Sequence, residues 1–133
     1  MSDIIKKFLK KGTNKGVFYG GAFQKPARQE TIEVRNPATS EIFTRVPDAC
    51  EEDVTAAVRA ARAGFEVWSR IDPIDRARHL RKFADIIAEN IPNLALLETA
   101  ATGRSIKEMR AQMARIPEWI EYFGGIAMGL EGE

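Results

Sequence analysis

The chain has 133 residues, of which 44% are apolar and 29% charged, and its formal net charge is +1. Such a length suits one ordinary domain with a single core, the composition is that of a soluble globular protein, and the near-neutral charge offers no broad field to nucleic acid. The lone cysteine, Cys50, excludes an internal disulfide or a thiolate-rich metal site and fits a reducing, cytoplasmic compartment, and no apolar run approaches the roughly 20 residues that span a bilayer.

Residues 1–16 read as an amphipathic or flexible arm, with Ile4, Ile5, Phe8 and Leu9 set among Lys6, Lys7, Lys10 and Lys11. Two turns bury too little apolar area for firm membrane attachment, so a terminal arm is preferred to a membrane anchor. Residues 17–47 predict strands. VFYGGAF places aromatic and β-branched residues around a Gly20-Gly21 break, and TIEVR alternates, with Ile32 and Val34 on one face. NPATSE supplies turn chemistry and EIFTRVP returns as a second strand, so a β-hairpin is the simplest account. A hairpin is marginal alone and must lie on something else.

Residues 48–133 predict helices. Val54, Val58, Ala61, Phe65 and Trp68 make one apolar stripe. Asp72 caps the second helix, with Pro73 in its first position, and Leu80, Phe83, Ala84, Ile87 and Ile91 form the buried side. A third, shorter helix is predicted after Pro92, using Leu94, Leu97 and Ala101 and ending at Gly103. Ser105 and Glu108 read as a capping box for a last helix, whose stripe runs Met109, Met113, Ile116, Ile120, Phe123, Ala127 and Leu130. Pro117 should bend that helix without breaking its phase. The whole is an α+β chain: a hairpin followed by three or four amphipathic helices, all wanting a surface to cover.

Few residues here suggest chemistry. At Cys50 a helix N-terminus would favour thiolate, but Asp48, Glu51, Glu52 and Asp53 oppose it. Either Asp48 with Glu51 or Cys50 with Asp53 can frame the cap. The sole histidine, His79, is not placed beside Cys50 by the sequence, and a catalytic cysteine needs a positioned base. Cys50 therefore reads as structural. The basic run RARHLRK at 76–82 is flanked by Asp72, Asp75, Asp85 and Glu89 and lacks stacking aromatics, which favours a solvated helix face. GGIAMG lies at a helix end, not in a strand-to-helix turn, so it is no dinucleotide loop. No catalytic, cofactor-binding or metal residue is assigned.

Several segments in order nonetheless resemble the amino-terminal region of the NAD(P)-dependent aldehyde dehydrogenase superfamily. Gly20, Gly21 and Phe23 match its "GG-aromatic" strand. Asn36, Pro37, Ala38, Thr39 and Glu41 match its "NPATG-E" turn, with Ser40 in the glycine position. Asp53, Val54, Ala57, Val58, Ala60, Ala61, Phe65 and Trp68 match the next helix, and Arg76, Leu80 and Ala84 the one after it. Glu98, Thr102 and Gly103 match the "E-x-x-x-TGK" turn, with Arg104 for lysine, and IEYFGGIAMGLEGE resembles the exit of the region.

The resemblance covers residues 17–133 and implies part of an α/β aldehyde dehydrogenase fold. It places Cys50 on the small or hydroxyl residue that opens the first helix, not on the nucleophile. The family's cation site uses backbone near Val34 or Arg35 and an aspartate where this chain has Ala101, so no metal is expected. Nor does the chain contain the family's "PWN" asparagine, "KP" lysine, "G-x-T-x-x-G" turn, general-base glutamate or "G-Q-x-C" nucleophile. The expectation is an amino-terminal segment of an enzyme that oxidises an aldehyde to a carboxylic acid with NAD(P)+. The segment itself is expected to be inactive, without bound cofactor, and partnered by the remainder of the dehydrogenase or by further copies of itself. The alternative is a non-catalytic interaction module or small subunit covering a separately encoded partner, with Phe65, Trp68, Trp119 and Phe123 as contact residues.

Overall fold

The computed structural model describes residues 16–127 and 129. The lysine-rich arm before Gly16, and Leu130 at the end of the last predicted stripe, lie outside the described residues. Two compact units are present, Met1–Ser69 and Arg70–Glu133.

The first unit holds two antiparallel hairpins and a helix. Strands β1 (Val17–Tyr19) and β2 (Ala22–Gln24) pair with Phe18 directly opposite Phe23, their rings edge to face at 5.1 Å. Gly20 and Gly21 join them with φ of 62° and 81°, the two left-handed residues that a tight two-residue hairpin requires. The Gly-Gly "break" is thus a turn, and this segment is a hairpin of its own rather than an extension of the next one.

Strands β3 (Thr31–Arg35) and β4 (Ile42–Pro47) form the expected second hairpin. Its turn is held locally: Asn36 Oδ1 accepts from Ala38 N–H at 2.9 Å, and Asn36 O accepts from Ser40 N–H at 2.7 Å. Register shifts between Val34 and Arg35, which pair with Thr44 and Ile42, so Phe43 is the extra residue of a bulge. Across the exposed face Glu33 receives Arg45 at 2.8 Å and Arg35 at 2.6 Å.

Helix α1 (Glu51–Trp68) packs on β1, with a Cβ placed on Gly20 falling 3.8 Å from that of Ala60. Its covered face is made of Asp53, Ala56, Ala57 and Ala60. The stripe read from the sequence looks outward: Val54, Val58, Phe65 and Trp68 are all exposed.

The second unit is a helical hairpin. Helix α2 (Pro73–Thr102) begins as expected, with Asp72 accepting from Ile74 N–H at 2.8 Å and Pro73 in the first position. It does not stop at Pro92. The two predicted helices are one, 30 residues long, with Pro92 inside. An interior proline costs about 3 kcal/mol, and packing outweighs that here, since Ala84 and Ala95 on either side of it are 1% and 0% exposed. Gly103 ends α2 in the left-handed conformation, φ 77°.

Ser105 then caps α3 (Ile106–Ile126) by accepting from Glu108 N–H at 3.3 Å. The reciprocal half of the predicted box is not made, because the Glu108 carboxylate pairs with Arg104 instead. Helix α3 continues through Pro117. Its covered line is Met109, Met113, Ile116, Ile120 and Gly124, not Phe123, which is 63% exposed. A Cβ on Gly124 would lie 3.5 Å from Leu80 Cβ and 3.8 Å from Ala77 O, which sets α3 antiparallel to α2 at close range. The core of this unit is small: Ala77, Ala84, Ala95, Ala100 and Met109.

Candidate functional site

The densest polar arrangement among the described residues surrounds the start of α1. Cys50 is the N-cap residue, in extended conformation, so the structure selects the Cys50–Asp53 frame over Asp48–Glu51. Asp53 sits in the first turn and its carboxylate turns back: Oδ2 accepts from Cys50 N–H at 3.1 Å, satisfying a helix-terminal donor. Oδ1 accepts from Ala27 N–H at 3.0 Å, in the loop between β2 and β3. Among the described residues Asp53 is the one buried charged residue, 5% exposed. The Ala27 and Cys50 backbone donors hold its carboxyl below the ordinary aspartate value, against the opposing effect of burial.

The Cys50 thiol donates to Glu52 Oε2 at 2.8 Å and lies 3.4 Å from Asp53 Oδ2. The Glu52 carboxylate, accepting that proton, raises the thiol above its ordinary value, and the same contact lowers Glu52. A cysteine nucleophile needs the thiolate. The Glu52 contact favours the thiol form here, and the cluster fastens a helix end. The Asp53–Ala27 tie was beyond sequence reasoning, since nothing local relates two positions 26 residues apart.

The remaining candidates separate by unit. Cys50 lies in the first and His79 in the second. In the basic run, Arg78 pairs with Asp75 at 2.6 Å on an exposed face, and Arg81 and Lys82 are exposed. A shallow cleft of about 200 Å³ in the first unit is lined by Lys25, Arg28, Glu30, Thr31 and Pro47 among others. Its lining carries both signs of charge, from Lys25, Arg28 and Glu30. Among the described residues no group of three or more His, Cys, Asp or Glu is placed to hold a metal ion, and no helix is long and apolar enough to cross a membrane.

Two of the described glycines in the helical unit, Gly103 and Gly124, are engaged in capping and packing. Gly124 is buried against Leu80 within α3, and Gly103 closes α2 next to a Ser105 already engaged as a cap. Neither presents the open backbone donors of a phosphate-binding turn. What the chain does offer is apolar surface. Phe65 is 56% exposed, Trp68 39%, Trp119 57% and Phe123 63%, and Tyr122 stacks edge to face on Phe123 at 5.4 Å.

These elements, a GG hairpin, an NPAT hairpin and three helices with outward aromatic faces, are those of an aldehyde dehydrogenase's amino-terminal region. The Aldehyde dehydrogenase family model matches residues 23–133, and the chain belongs to that family. It is 36% identical over 118 residues to the (Z)-2-((N-methylformamido)methylene)-5-hydroxybutyrolactone dehydrogenase of Acinetobacter baylyi, a match covering 87% of this chain and 24% of the relative. Among solved structures, the betaine aldehyde dehydrogenase of Staphylococcus aureus in complex with NAD+ superposes with a TM-score of 0.89 at 32% identity, over 98% of this chain and 26% of that one. An apo point mutant of the same enzyme gives 0.87 at 32%, over 96% and 26%. The chain thus spans about a quarter of the length of these relatives.

Proposed function

We propose that this chain is the amino-terminal covering segment of an NAD(P)-dependent aldehyde dehydrogenase, carrying no chemistry of its own. The complete enzyme oxidises an aldehyde to a carboxylic acid, NAD(P)+ taking the hydride. The nucleophile, general base, oxyanion donors and cofactor loop belong to residues outside this chain. Residues 17–133 act as one part of the dehydrogenase, its hairpins (17–47) and helices (48–133) lying over the rest, and residues 1–16 as an arm. The assembled protein is cytoplasmic and oligomeric.

One observation carries this reading. Among the described residues the buried apolar side chains are four alanines and a methionine, all in the second unit, whereas Val54, Val58, Phe65 and Trp68 of α1 and Trp119, Tyr122 and Phe123 of α3 stand in solvent. Isolated surface hydrophobes are ordinary, but a contiguous row of them along a helix is the kind of patch that marks a contact surface. Each Phe or Trp adds about 1.5–3 kcal/mol when covered.

Co-expression with a dehydrogenase core lacking this region tests the proposal. Restored NAD(P)+-dependent aldehyde oxidation supports it. Oxidation by the purified chain alone, or binding to an unrelated protein in preference to the core, would favour a different role.

A further inference from the structure

We draw no further inference here: the strongest candidate, the exposed aromatic face of α3 carrying Trp119 and Tyr122, belongs to the covering surface already proposed, and nothing in the structure shows what else covers it.

Discussion

Ala27 donates its backbone N–H to Oδ1 of Asp53 across 3.0 Å, tying the loop after β2 to the first turn of α1. The same carboxylate receives Cys50 N–H through its other oxygen, so one buried side chain closes a helix end and fastens a loop. Its titration follows. The folded value is depressed, so the stabilisation is present above the ordinary aspartate value and disappears as pH falls through the lower folded value. Asp53→Asn removes the charge that both donors favour. Thermal melts should show the variant less stable at neutral pH, with the gap closing in strong acid. A gap independent of pH would mean the carboxylate's charge does not matter.

The thiol of Cys50 should be slow. Glu52 holds it protonated. Iodoacetamide at neutral pH should alkylate Cys50 more slowly than it alkylates the unfolded chain, and Glu52→Gln should speed the folded reaction. Alkylation faster than in the unfolded chain would indicate an activated cysteine and overturn the structural assignment.

Ser40 is the one described non-glycine residue with positive φ, 59°, and it occupies the family's glycine position in the NPAT turn. The left-handed conformation costs an L-residue about 1–2 kcal/mol, part of which glycine returns as lost chain entropy. Ser40→Gly should therefore stabilise the chain by about 0.5–1 kcal/mol in denaturant unfolding. The contact from Arg35 Nη1 survives, since it goes to the Ser40 backbone oxygen. A loss of stability would show that the serine side chain is needed in the turn.

At Gly124 size should decide the sign. A Cβ there meets Leu80 Cβ at 3.5 Å, ordinary contact, so Gly124→Ala should be neutral or stabilise through helix propensity, by up to about 1 kcal/mol. Gly124→Leu must push α3 from α2 and should cost about 1–3 kcal/mol. Equal effects of the two substitutions would contradict the close helix approach.

The outward aromatics should matter for association and not for folding. Phe65→Ser and Trp119→Ser remove side chains that are 56% and 57% exposed, so the isolated chain's stability should change by no more than about 0.5 kcal/mol. Affinity for the dehydrogenase core should fall about tenfold or more for each. Unchanged affinity would place the contact elsewhere.

The sequence was most informative where chemistry is local. Asp72-Pro73 and Gly103 act as read and Ser105 caps its helix without the box partner, because a cap depends on neighbours within four residues. The β3–β4 hairpin was legible for the same reason. Pro92 misled, since its local cost is set against tertiary packing of Ala84 and Ala95 that no local rule sees. Gly20-Gly21 was read as an interruption although paired glycines between short β-prone runs signal a tight turn.

On α3 the covered side takes Gly124 in place of Phe123, because a glycine there lets the helix lie close to Leu80 and Ala77. Small residues added to the difficulty, because the covered face of α1 is largely alanine and a search for bulky apolar side chains passes over it. As for function, family membership was carried by word order in the motifs, while composition and periodicity reached only a soluble α+β chain.

The most direct measurement mixes the purified chain with a dehydrogenase core missing this region and follows NADH formation from an aldehyde and NAD+. A one-to-one complex that turns over, with neither component active alone, is the predicted result. Turnover by the 133-residue chain by itself, or a core indifferent to its addition, would contradict the covering role.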